Sequence, residues 1–272
     1  MNILDQIIAH KEKEVAERKS FFPEKLLEQS VYFNGKPVSM KKYIQREDKS
    51  GIIAEFKRKS PSKGMINQHV GVERTSIGYM QAGASALSVI TDKDFFGGKN
   101  EDLTVARRYN FCPILRKDFI IDEYQVIESK SIGADTILLI AAALKPEKIR
   151  QLASFAKSFG MEVLLEVHNL SELNDNLNAP VDLIGVNNRN LSTFETNIEH
   201  SIQLSEHIPA DFIKVSESGL HDANKIIELK KYGFRGFLIG EAFMKSSRPE
   251  KACAALIEEI KKAENENVSV RS

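Results

Sequence analysis

From Gly51 onward the chain repeats one unit: a short β-rich apolar run, a loop, a helical stretch and often a glycine. Candidate strands fall at 52–57, 86–91, 113–117, 136–141, 162–167, 183–187, 212–216 and 236–240. Their starts recur about every 25 residues, the length of one βα unit. Helical patterns lie between them at 72–81, 101–108, 123–131, 146–159, 170–177, 198–207, 223–232 and 249–263. Gly83, Gly133, Gly160 and Gly233 directly follow helical patterns, where a helix stop calls for a left-handed residue. Most of the strands are apolar on both faces, as parallel strands covered by helices must be. Eight such units predict a (β/α)8 TIM barrel over 51–265, a single domain with an N-terminal helical extension over 1–50. A doubly wound open sheet is the competing arrangement of the same units.

The extension begins with a helical pattern near 3–19. Ile3, Leu4, Ile7, Ile8 and Val15 form its apolar stripe, and Lys11, Glu12, Lys13, Glu14, Glu17 and Arg18 its charged face. A short helix starts at Pro23, and Asn34-Gly35-Lys36-Pro37 marks a turn. Lys+Arg and Asp+Glu are equal at 38 each, so no global charge points to nucleic acid or a membrane surface. Any anion site must be a local gathering of basic groups. Two cysteines, Cys112 and Cys253, form no disulfide framework, and no apolar run approaches the ~20 residues of a membrane span. The first residues, Met1-Asn2-Ile3-Leu4-Asp5, lack a signal-peptide pattern, which leads to a cytoplasmic expectation.

In a (β/α)8 barrel the chemistry sits at the C-terminal strand ends. Strand one carries Glu55 and Lys57, which share one side of an extended chain. Strand two ends in Thr91-Asp92, strand three in Arg116-Lys117-Asp118-Phe119, and strand five in Glu166-Val167-His168. Strand six ends in Asn187-Asn188-Arg189, strand seven in Ser216-Glu217-Ser218-Gly219, and strand eight in Gly240-Glu241. The opposite ends are mostly apolar. Charges cost free energy inside a barrel unless paired or functional, so their collection on one rim points to an enzyme. Each has a plainer reading. Glu55 and Lys57 form a structural ion pair as readily, Asp92, Lys93 and Asp94 fit a solvated loop, and His168 fits a structural hydrogen-bonder. Arg116 alternates away from Lys117, toward the helices. No His, Cys and carboxylate grouping has metal-ligand spacing.

Barrels commonly bind phosphate with the loops after strands seven and eight. Ser218-Gly219 and Gly240-Glu241 occupy those loops, and Ser60 and Lys57 lie on the adjacent strand-one loop.

Five motifs sharpen this outline: Ile53-Ala54-Glu55-Phe56-Lys57-Arg58-Lys59-Ser60-Pro61-Ser62, Leu115-Arg116-Lys117-Asp118-Phe119, Leu165-Glu166-Val167-His168, Ile184-Gly185-Val186-Asn187-Asn188-Arg189 and Ser216-Glu217-Ser218-Gly219. With them the chain, from its first helix to Ala263, resembles the indole-3-glycerol phosphate synthase family of tryptophan biosynthesis. The resemblance implies a carboxy-lyase that closes the pyrrole ring of 1-(2-carboxyphenylamino)-1-deoxyribulose 5-phosphate and releases carbon dioxide and water. It implies catalytic roles for Glu55, Lys57, Lys117, Glu166, Asn187, Glu217 and Ser218. It implies substrate contacts by Ser60, Phe96, Phe119, Arg189, Gly219, Gly240 and Glu241. No cofactor or metal is implied, the partner is a phosphorylated small molecule, and the expected state is a monomer. Within the set Glu55, Lys57, Lys117 and Glu166, a lysine near another cation or poorly solvated is expected to have a lowered pKa. The rival phosphoribosylanthranilate isomerase family uses a Cys after strand one and an Asp at strand six, where this chain has Glu55 or Lys57 and Asn187. A sugar-phosphate-binding barrel without catalysis is the remaining alternative.

Overall fold

A computed structural model describes residues 3–190 and 195–269. Met1 and Asn2, on which the leader reading partly rests, lie outside them. Eight parallel strands close into one barrel: β1 (Ile52–Phe56), β2 (Ala86–Ile90), β3 (Ile114–Lys117), β4 (Thr136–Ile140), β5 (Glu162–Val167), β6 (Leu183–Asn187), β7 (Ile213–Glu217) and β8 (Phe234–Ile239). Each pairs with its neighbour in sequence, and β8 returns to β1 through Ile52 opposite Phe237. That closure excludes the open sheet.

Alternation along the strands sorts the core into two layers. Ile52, Ala54 and Phe56 face the surrounding helices. Ile53 faces inward, with Leu115, Leu138, Leu164, Leu183, Val215 and Leu238. The helix Met40–Ile44 closes the N-terminal end of the barrel, placing Met40 and Ile44 against Ile53 and Ala86. Ser39 caps it by accepting from the Lys42 N–H.

The echo of Gly83-Ala84-Ser85 in Gly133-Ala134-Asp135 has a structural cause. Gly83 and Gly133 take φ of 100° and 94°, and each turns a helix into the next strand. The following polar side chain then satisfies an orphan N–H at the start of the previous strand. Gly51 N donates to Ser85 Oγ (2.8 Å) and Ile114 N to Asp135 Oδ2 (2.7 Å). Val163 N donates to Asp182 Oδ2 (2.9 Å) in the same way.

The N-terminal helix α1 (Ile3–Phe21) lies over the opposite mouth. Lys11, expected on its solvated face, is buried and pairs with Asp92 (3.0 Å), Asp118 (3.1 Å) and Glu14 (2.8 Å). Burial alone would lower its pKa, but the three carboxylates raise it instead. Asp92 is correspondingly no solvated-loop residue: it is buried, and its Oδ1 accepts from the N–H groups of Phe95 and Phe96. The amphipathic pattern misplaced Lys11 because a lysine stem packs as apolar surface while its ammonium finds acids contributed by other strands.

Candidate active site

The C-terminal strand ends and α1 enclose a cavity of about 520 Å³. Every residue to which the resemblance implies a catalytic or substrate-binding role lines it: Glu55, Lys57, Ser60, Phe96, Lys117, Phe119, Glu166, Asn187, Arg189, Glu217, Ser218, Gly219, Gly240 and Glu241. The sequence reading missed the apolar contribution of α1, whose Ile3, Leu4 and Ile7 also line it. The apolar stripe was visible, but nothing in it specified which end of the barrel it covers.

The charged groups form two connected sets. Lys57 Nζ lies 3.0 Å from Glu55 Oε1, so the expected pair on one strand side is present. Lys117 Nζ lies 3.1 Å from Glu166 Oε2 and 3.5 Å from Glu217 Oε2. Asn187 Nδ2 donates to the other Glu166 oxygen at 3.0 Å. Arg116, one residue from Lys117, points away and meets Glu128 at 2.6 Å on the helix Glu123–Ser131.

These contacts correct the expectation for Lys117. Burial disfavours its charge, but Glu166, Glu217 and Glu55 outweigh that effect and raise its pKa. Crowding by acids, not by a second cation, dominates its surroundings. Burial would also raise Glu166, but Lys117, His168 and the Asn187 hydrogen bond bring it down to about 2. Glu217 goes the other way: burial pushes it up to about 7, with Glu166 and Glu55 adding to the rise and Lys117 opposing it. Its Oε1 is buried with no hydrogen-bond partner. A paired acid and a protonatable acid therefore flank one ammonium.

Two glycines make room for this cluster. A Cβ on Gly185 would fall 2.2 Å from Glu217 Oε1, and one on Gly240 would fall 2.5 Å from Glu55 Oε1. Gly240, read from sequence as a phosphate-loop residue, thus has a second constraint that no loop pattern reveals. Ser218 has φ 71°, the one positive value among described non-glycine residues. Holding a serine there costs of order 1–3 kcal/mol, and such strain clusters at functional sites.

The two aromatic candidates meet across the mouth: Phe96 and Phe119 have ring centroids 6.0 Å apart at 40°. On the other side, Ser60 and Ser62 carry hydroxyls 3.4 Å apart. The Glu241 carboxylate is engaged by Lys245 (2.8 Å) and Arg189 (3.4 Å). His10, Glu14 and Asp94 also bring ligand-type atoms together near the rim. They are already engaged, His10 with Asp94 at 2.7 Å and Glu14 with Lys11.

Comparison with known proteins decides the family. The family model for indole-3-glycerol phosphate synthase matches residues 4–256. The chain belongs to the indole-3-glycerol phosphate synthase family. An indole-3-glycerol phosphate synthase of Bacteroides thetaiotaomicron is 50% identical over 248 residues, 91% of this chain and 95% of that protein. One from Campylobacter fetus is 41% identical over 243 residues, covering 89% and 94%. One from Burkholderia vietnamiensis is 40% identical over 257 residues, covering 94% and 98%. The activity is that of a carboxy-lyase of tryptophan biosynthesis, making indole-3-glycerol phosphate. Family membership sets aside both the isomerase and the non-catalytic readings. Among solved structures, 3-hexulose-6-phosphate synthase from Salmonella typhimurium superposes with a TM-score of 0.61 at 10% identity, covering 78% of this chain and 98% of its own. The KGPDC of Streptococcus mutans gives 0.59 at 12% identity, covering 78% and 97%. Those two likenesses concern the barrel fold alone.

Proposed function

We propose that the family reaction is divided among the charged groups in a definite way. Lys117 is the acid for ring closure, in which the substrate's aromatic carbon attacks the ketone and negative charge develops on oxygen. The observation that carries this reading is its ammonium, held charged between Glu166 and Glu217 inside the cavity. A raised pKa makes Lys117 a firm electrostatic stabiliser of that oxyanion and a slower donor; proton delivery is then helped by Glu217, which holds a proton up to about pH 7. Glu166, kept ionised, stabilises the positive charge left on the arylamine. Lys57 holds the substrate carboxylate until carbon dioxide leaves and aromaticity returns. Glu55 is the base of the dehydration, with Lys57 or Lys117 as the acid for the departing hydroxyl.

The remaining residues bind. Phe96 and Phe119, with the apolar stripe of α1, flank the aromatic ring. Asn187 orients Glu166, and Ser218 and Arg189 reach substrate hydroxyls. Ser60 and the backbone of Gly219, Gly240 and Glu241 hold the phosphate. The enzyme works as one barrel domain, as a cytoplasmic monomer. Two free buried cysteines, Cys112 and Cys253, with thiols pushed by burial up to about 12, support a reducing compartment.

The test is single-turnover kinetics with the carboxyphenylamino substrate, following indole absorbance. Glu55→Gln should slow dehydration more than ring closure, so that a cyclised, decarboxylated intermediate accumulates. Recovery of open-chain substrate alone would overturn the assignment of Glu55.

A further inference from the structure

One titratable group in the cavity has no part in that division of labour. His168 follows β5 directly, its side chain is 12% exposed, and it lines the cavity. Its ring stands between two carboxylates. Nε2 lies 3.4 Å from Glu166 Oε1, and Nδ1 lies 3.5 Å from Glu172 Oε2. Neither contact has hydrogen-bond geometry, so both ring nitrogens are buried without a hydrogen bond. Glu172 is itself fixed: Oε2 accepts from the His168 N–H at 2.7 Å, and Oε1 accepts from Asn169 Nδ2 at 2.6 Å. The backbone carbonyl of His168 meets His200 Nε2, which anchors the residue from the helix Glu199–Ser205.

The charges around this ring do not cancel. Glu55, Glu166 and Glu217 are all buried in the cluster, against Lys57 and Lys117. Inside the cavity three acids against two ammonium groups leave one negative charge to neutralise with a proton, and Glu172, on the other side of the ring, adds a fourth acid that favours a proton on the imidazole. We propose that His168 is a positioning residue for the family reaction: braced by Glu172, its imidazole aims Glu166 and shares with Glu217 the proton that balances the cluster. The proton resides on the Glu217 carboxyl or on the imidazole, and moving it between them changes neither the atom count nor the net charge. The groups facing the ring are Glu166 on β5 and Glu172 on the next helix; Glu217 on β7 is joined to Glu166 through Lys117, and His200 meets only the His168 carbonyl. Burial opposes the imidazolium, but Glu172 and Glu166 raise the pKa of the ring, in keeping with this sharing. An anionic substrate entering the cluster increases the demand for that proton.

This inference rests on the role proposed for Glu166, and the experiment separates the two. Loss of turnover in Glu166→Gln tests the underlying assignment. The pH profile of kcat in His168→Gln and Glu172→Gln tests the imidazole. His168→Gln places an amide near Nε2 but cannot carry the proton. It should lower kcat about tenfold with KM within about twofold, and move a limb of the profile between pH 5 and 8. Glu172→Gln leaves the cavity wall intact and keeps an acceptor for the His168 N–H. It should shift the same limb in the same direction, and the double variant should be no worse than His168→Gln alone. Profiles of both single variants superimposable on wild type, or additive losses in the double variant, would overturn the proposal and leave His168 as cavity wall only.

Discussion

Two buried lysine clusters sit side by side at the barrel mouth, and adjacent residues of one chain segment serve both. Lys117 turns inward to Glu166 and Glu217; Asp118, the next residue, turns to Lys11 of α1. Around Lys11 the acids are held by fixed partners: Asp92 Oδ2, which has no hydrogen bond, lies 3.0 Å from the Lys11 ammonium. Asp118 Oδ1 also accepts from its neighbour Phe119 N, while Oδ2 accepts from Thr91 and lies 3.3 Å from Arg116, which in turn meets Glu128. Around Lys117 the bonding is left open: Glu217 Oε1 has no hydrogen bond, and the ammonium approaches only the other oxygen of that carboxyl, at 3.5 Å, beside a cavity of about 520 Å³. Burial alone does not distinguish an ion cluster that holds a fold from one that performs chemistry. Unspent bonding capacity facing a cavity does.

The difference is best tested by removing each lysine in turn. Lys117→Met should lower kcat by roughly 10²- to 10⁴-fold, the range for a lost acid or electrostatic stabiliser, with inhibition by inorganic phosphate nearly unchanged. Unaltered turnover would remove Lys117 from the chemistry. Lys11→Met should do the reverse. Leaving Asp92 and Asp118 buried without their ammonium should cost about 3–5 kcal/mol in urea unfolding, while kcat falls less than tenfold. A stable Lys11→Met variant that is inactive would erase the contrast.

Glu217→Gln sharpens it further. A carboxyl raised from 4.5 to about 7 keeps its proton in the folded state while the unfolded chain loses it. Its contribution is therefore fully present below about pH 4.5 and is lost as pH rises to about 7. The Gln variant should gain on the order of 2 kcal/mol relative to wild type at pH 8, gain little at pH 4, and lose activity. Equal stability differences at both pH values would count against a strained Glu217. Asp118 carries the opposite sign: burial would raise it, but Lys11 and Arg116 lower it to about 2. Its stabilisation is present above about pH 4 and disappears as pH falls toward 2, so acid unfolding monitored by circular dichroism should begin in that window. The smallest effect is expected at the rim. His10→Ala, breaking the exposed pair with Asp94, should change stability by less than about 1 kcal/mol and should be masked in high salt.

The residues differ in how much of this they disclose in sequence. Periodicity determined the eight βα units, because parallel strands covered on both sides must be apolar and each needs a helix to return the chain; the pairing of the last strand with the first decided for the barrel over the open sheet. The glycine stops and the echo of Ser85 and Asp135 mark unit boundaries for the same reason. Residue order also determined which side chains stand at the strand ends, so the members of the rim were legible: alternation placed Lys117 inward and Arg116 outward before any coordinates. Three things were decided only by tertiary structure. Lys11 looked solvated because two of its three acids, Asp92 and Asp118, lie just after β2 and β3, about eighty and a hundred residues away in the chain. The direction of the Lys117 shift depended on the acids of β1, β5 and β7 meeting in space, since Coulomb energy follows distance rather than sequence separation. The roles of Gly185 and Gly240 in clearing room for Glu217 and Glu55 exist only once neighbouring strands set the register. A linear pattern specifies which groups reach the mouth of the barrel; the closed sheet specifies which of them touch, and so which remain unsatisfied and able to react.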